Sequence, residues 1–147
     1  MKNNKNKGFT LIELLVVIAI IGLLSTLAVI ALSNARQKSR DSRRVSDIKQ
    51  IQSALELFYN DAGKYPDGAA VNEIVDDGLK IAYSGTIYMS KAPKNPEPGA
   101  IAYQYIVRDS GASYTIEYAL ESGAGGIIAG TWCATPAGID NGQTCHT

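Results

Sequence analysis

Histidine and cysteine are nearly absent from this 147-residue chain, which has one histidine, His146, and two cysteines, Cys133 and Cys145. With a penultimate histidine, no CxxC pair, no nucleophile elbow and no phosphate-binding glycine motif, the chain lacks the arrangements on which enzyme sites are commonly built. No catalytic activity of its own is expected. An excess of one charge sign is missing as well: 14 basic and 14 acidic side chains cancel. That balance excludes a globally basic nucleic-acid binder and leaves only local patches to consider. There is no low-complexity tract and no repeat at a solenoid period. The length excludes a multi-domain enzyme and a multi-pass transporter, because after one membrane span only a single modest core remains.

What the chain does have is an apolar run. Nineteen of the 24 residues at 9–32 are apolar, and no charge occurs between Leu14 and Ala35. Residues 14–32, as helix, reach ~28 Å, close to the thickness of the hydrocarbon layer. A cleaved secretory signal is the competing reading, but its apolar region is typically about 7–15 residues. Cleavage after Ala28 or Ala31 would cut into the helix that continues beyond. Two features do not suit a plain anchor. A short polar leader, residues 1–8, carries Lys2, Lys5 and Lys7, and Glu13 sits inside the apolar region. A carboxylate there costs free energy unless it reaches the headgroups or finds a partner.

Beyond Ala35 the sequence turns abruptly charged. Arg36, Lys38, Arg40, Arg43, Arg44 and Lys49 stand against Asp41 and Asp47, a local net of +4. Val45, Ile48, Ile51, Leu55 and Phe58 recur at steps of three and four, which predicts an amphipathic helix with Lys49, Gln50, Ser53 and Glu56 facing outward. Gly63 and Pro66 mark its end, so one helix is expected over residues 9–60. The basic collar has three readings: a solvated interfacial face held by anionic headgroups, subunit contacts in an assembly, or DNA capture. The last is disfavoured because no aromatic residues are interleaved with the arginines. Charge counting leaves orientation open, with +3 before the span and +4 after it.

The segment Lys7-Gly8-Phe9-Thr10-Leu11-Ile12-Glu13, followed by the long apolar run, resembles the class III signal of type IV pilins and type II secretion pseudopilins. The Asn-Asp-Ala-Gly-Lys-Tyr-Pro stretch at 60–66 resembles the end of the pilin helix. The resemblance implies that a prepilin peptidase removes residues 1–8 by cutting between Gly8 and Phe9, that the Phe9 amine is N-methylated, and that Glu13 pairs with the N-terminus of a neighbouring subunit. Low dielectric makes an ammonium the natural partner for that carboxylate. It implies assembly with copies of itself and related pilins through an inner-membrane platform. It also implies a cytoplasmic N-terminus, a membrane segment at 9–35, an amphipathic half at 36–62, and an extracytoplasmic β-rich head at 63–147. The expected fold class is α+β, a long N-terminal helix packed on a small antiparallel sheet. Many relatives carry proline where this chain has Ile30, so a continuous helix is expected through that position.

In the head a short helix is plausible at 71–79 and a Pro-containing loop at 88–96. Strands are expected at 103–108, 113–120 and 126–133, with a hairpin at 109–112 and a loose connection through 122–130. In the second strand Tyr114, Ile116, Tyr118 and Leu120 alternate with polar or small residues, giving a face to pack on the helix. If the head is exported, Cys133 and Cys145 are expected to pair, as pilins often do in this region. Alternatives are a metal site of Cys133, Cys145 and His146, which lacks a fourth ligand, and calcium at Asp140 and Asn141; no cofactor is otherwise expected. Three functions stay open: a type IV pilus subunit, a major pseudopilin of a type II secretion system, and a single-pass anchored binding domain that never polymerises.

Overall fold

The structure, a computed structural model, describes residues 8–66, 81–96 and 102–141. It divides into two compact units, residues 1–36 and 37–147. The helix α1 is continuous over Leu11–Ala62, 52 residues with no break at Ile30. It starts and ends two residues later than its periodicity suggests. The start is delayed because Thr10 acts as its cap, and the end is set by Gly63, whose φ of 70° closes the helix with its N–H on the Tyr59 carbonyl at 2.8 Å.

In the first unit every described residue is exposed, including the bulky side chains from Phe9 to Leu32. The helix is long and apolar enough to cross a membrane. One of its polar interruptions is satisfied locally: the Thr26 hydroxyl donates to the Leu23 carbonyl at 2.8 Å.

The second unit packs the rest of α1 against antiparallel strands. Ile48, Ile51, Ala54, Leu55 and Phe58 are buried on one helix face, while Lys49, Gln50, Ser53 and Glu56 are exposed. Opposite them lies a four-stranded sheet of β3 (Gln104–Arg108), β4 (Ser113–Ala124), β5 (Ile127–Thr135) and β6 (Gly138–Asn141), hydrogen-bonded in that order. Tyr114, Ile116, Tyr118 and Leu120 supply its buried face, as the alternation requires. A separate hairpin of β1 (Ile81–Tyr83) and β2 (Thr86–Met89) sets Tyr83 and Tyr88 edge-on to Phe58.

Two expectations change, and one strand was not expected. The stretch 122–130 is not a loose connection: it is the end of β4, a Gly125-Gly126 turn and the start of β5. Tyr88 and Met89 belong to β2 rather than to a loop. The strand β6 was hidden because a four-residue, glycine-led strand carries no period of its own. The helix expected at 71–79 lies outside the described residues.

Candidate processing and assembly site

Gly8 and Phe9 precede α1 in non-helical backbone, and Phe9 is 84% exposed. A side chain added at Gly8 would meet nothing within 4 Å, and its backbone is not left-handed. The fold itself therefore has no need of glycine there. At Glu13 the geometry is a capping box. The carboxylate Oε2 accepts from the Thr10 backbone N–H at 2.8 Å and from the Thr10 hydroxyl at 2.7 Å, and the Glu13 N–H donates back to Thr10 Oγ1 at 3.3 Å. Thr-x-x-Glu is the sequence signature of this motif, which satisfies otherwise orphaned donors at a helix start. Glu13 thus sits within an apolar stretch of sequence and is supplied with partners by its own chain.

The collar departs from a uniformly solvated basic face. Asp41 is fully buried and Arg44 is 1% exposed. Asp41 Oδ1 accepts from Arg44 Nη1 at 2.7 Å and the Glu121 N–H at 3.0 Å. Its Oδ2 accepts from the N–H groups of Ser122 at 2.7 Å and Gly123 at 2.8 Å and from the Ser122 hydroxyl at 3.0 Å. These donors are available because β4 bulges: between the Leu120–Gly130 and Gly123–Ile128 pairs, two residues of β4 oppose one of β5. Arg44 also donates to Glu121 Oε1 at 2.6 Å, Asn95 Oδ1 at 2.6 Å and the Pro96 carbonyl at 3.1 Å. Arg40 pairs with Glu121 through both its Nε and Nη2. Lys38 and Arg43 remain exposed. A solvated basic face is therefore left only to the exposed members of the collar, because the tertiary fold supplies Arg40 and Arg44 with Glu121, Asn95 and the Pro96 carbonyl.

Burial works to raise the Asp41 carboxyl, but the backbone N–H groups of Glu121, Ser122 and Gly123 together with Arg44 outweigh it and hold the group at about 2. Arg40, against some desolvation and with help from Arg44, holds Glu121 at about 2 as well. Both lie below their ordinary values of 3.8 and 4.5. A depressed carboxyl adds stability that is complete above its unfolded value and lost as pH falls through its folded one. Buried Asp47 is raised by desolvation, against the Tyr103 hydroxyl and Arg43, and acts in the opposite sense. The melting temperature of the full chain in detergent is expected to fall between about pH 4.5 and 2, with a smaller fall in Glu121→Gln. A melting temperature flat across that range would refute this.

Cys133 is buried and disulfide-bonded; Cys145 and His146 lie outside the described residues. Asp140 is exposed on β6. Among the described residues no three His, Cys, Asp or Glu side chains gather as a metal-holding group.

The family model described as a prokaryotic N-terminal methylation motif matches residues 3–29. The chain is 32% identical over 101 residues to the type II secretion system core protein G of Aeromonas hydrophila, covering 65% of this chain and 71% of that one. It is 33% identical over 98 residues to core protein G of Escherichia coli (strain K12), covering 63% and 68%. The chain belongs to the type IV pilin and pseudopilin family. It is also 38% identical over 72 residues to the type IV major pilin protein PilA of Myxococcus xanthus, covering 49% of this chain and 32% of the pilin. No solved structure matches it. In this pilin-family chain the N-terminal segment and the Asp41 cluster are separate pieces of machinery, one on an exposed helix start and one inside the second unit. The first was legible as a motif. The second had no signal beyond an Asp and an Arg three apart on a helix that also buries Ile48 and Ile51.

Proposed function

We propose that the chain is a structural subunit of a type IV pilus or pilus-like filament, assembled from the membrane through its N-terminal helix, with no catalysis of its own. One observation carries this reading: an exposed, all-round apolar helix that begins at a prepilin-type motif. Such a surface is stable in lipid or among copies of itself, and the same side chains serve both states.

Residues 1–8 are a leader cut by a prepilin peptidase, leaving an N-methylated Phe9. Gly8 supports this, since nothing in the fold asks for glycine there and an enzyme that must grip the backbone does. On assembly Glu13 exchanges its Thr10 donors for the Phe9 amine of a neighbour. The second unit lies outside the cytoplasm, in keeping with a disulfide-bonded Cys133. Cys145 is its partner, and closing that loop contributes ~3 kcal/mol in the chain-entropy model.

Mass spectrometry of the membrane-extracted protein tests the processing: a chain starting at methylated Phe9 is expected, and an intact Met1 would overturn it. Shearing cells and imaging the released material with an antibody to the second unit tests the filament, and finding it only as membrane-bound monomer would overturn that. A secretion filament is the second reading, favoured by the longer match to core protein G, 101 residues against 72 for the pilin. It requires that deleting the gene block export of a secreted protein.

A further inference from the structure

We propose that Asp47 is a proton-operated latch between α1 and the segment that enters β3: charged, it leaves this part of the seam loose, and a proton taken up in mild acid closes it. The device lies wholly within the second unit and does not depend on how the chain is anchored or assembled.

Two aspartates of α1 are buried in this unit, and the fold treats them in opposite ways. Asp41 accepts five hydrogen bonds, from three backbone N–H groups, a hydroxyl and a guanidinium. Asp47 is only 6% exposed and accepts one, from the Tyr103 hydroxyl at 3.2 Å. Among the described residues the only cation within 4 Å of it is Arg43, whose Nε lies 3.9 Å away, beyond hydrogen-bond reach, on a side chain that is 65% exposed. Arg44 is buried, but its donors are engaged by Asp41, Glu121, Asn95 and the Pro96 carbonyl. A buried carboxylate is stable when paired or well hydrogen-bonded. One neutral donor does not meet that need.

The neutral carboxyl does better in the same place. It keeps an oxygen to accept from Tyr103 and sheds the charge that burial penalises, so protonation removes a cost without breaking a contact. Tyr103 cannot lose its proton instead, because burial first and the Asp47 charge next push its hydroxyl above the ordinary value, and it stays a donor. Desolvation likewise pushes the Asp47 carboxyl above its ordinary 3.8, opposed by the Tyr103 bond and by Arg43. Those two groups face it, Arg43 from its own helix and Tyr103 from the segment before β3. A carboxyl raised in the folded state withdraws stability above its folded value and returns it as pH falls through that value toward the unfolded one. The latch therefore closes between neutral pH and about pH 4.5, above the range in which Asp41 and Glu121 lose their charge.

The test titrates the full chain in detergent, carrying carboxyl-labelled aspartate, by nuclear magnetic resonance, with the Asp47 signal assigned from Asp47→Asn. Its midpoint is expected above 3.8. Backbone amides at 103–105, corrected for intrinsic exchange chemistry, are expected to exchange at least about twofold more slowly at about pH 5 than at neutral pH. Asp47→Asn, nearly isosteric and never charged, is expected to exchange slowly at both. That variant also separates Asp47 from His146, the only histidine, which titrates in the same range. Tyr103→Phe removes the one hydrogen bond to the charge and is expected to raise the Asp47 midpoint further, which a purely structural role of the phenol would not do. A midpoint at or below 3.8, or Asp47→Asn exchange as pH-dependent as the wild type's, overturns the proposal. So does an Arg43→Gln variant whose midpoint rises more than that of Tyr103→Phe, since the group is then a salt bridge and no latch.

Discussion

Asp41→Ala is expected to destabilise the second unit by about 3–5 kcal/mol, the usual cost of removing one partner of a buried ion pair. Arg44, 1% exposed, loses its buried carboxylate, and the N–H groups of Glu121, Ser122 and Gly123 lose their acceptor. Folded domains are stable by only about 5–15 kcal/mol, so a fall in melting temperature of more than about 10 °C follows. Asp41→Asn separates geometry from size. Each carboxylate oxygen faces two obligate donors, Oδ1 the Arg44 guanidinium and the Glu121 N–H, Oδ2 the N–H groups of Ser122 and Gly123, with the Ser122 hydroxyl, which can turn to accept, beside Oδ2. Whichever way an asparagine turns, its NH₂ points at donors, so this near-isosteric change is expected to cost almost as much as alanine. Thermal melting of the full chain in detergent measures both, and an Asp41→Asn variant within about 1 kcal/mol of wild type would sink the idea that the carboxylate holds the β4 bulge to the helix.

Glu13→Gln is expected to insert normally and yet reduce fibre yield at least about tenfold. Glutamine can still serve the capping box with Thr10, so the helix start survives. The charge does not, and truncating one partner of a desolvated charge pair costs about 2–5 kcal/mol, where 1.4 kcal/mol is already tenfold in affinity. Glu13→Ala also loses the carboxylate that accepts from the Thr10 N–H and hydroxyl, half of the capping box, and adds about 0.5–1.5 kcal/mol of local destabilisation. Comparing sheared-fibre yield in the two variants at equal membrane abundance distinguishes the roles. If Glu13→Gln makes normal fibres and Glu13→Ala does not, Glu13 acts through the helix cap and the pairing with a neighbour's amine fails.

Local patterns made much of this molecule legible. An uninterrupted apolar run followed by a stripe at Val45, Ile48, Ile51, Leu55 and Phe58 has one compact solution, a helix whose first part faces a nonaqueous medium and whose second part faces its own sheet. Alternation at Tyr114, Ile116, Tyr118 and Leu120 gave the central strand for the same reason. The Thr10-x-x-Glu13 cap was equally local and is explained by donors and acceptors three residues apart. Other features are not local. The pair Asp41 and Arg44 sits among solvated-looking charges, and its burial depends on donors and acceptors at 95–96 and 121–123, more than 50 positions away.

Residue order alone decided the class of the chain, because helix periodicity, apolar length and a processing motif are properties of neighbours. It also decided the opening balance of charge, 14 against 14. The tertiary structure decided how those charges are used. Desolvation is a matter of what arrives from elsewhere in the chain, and only once β4 bulges against α1 does Asp41 become the acceptor that ties helix to sheet. The same closure leaves Ile128 exposed at the turn, a consequence no reading of the glycine-rich stretch by itself could contain.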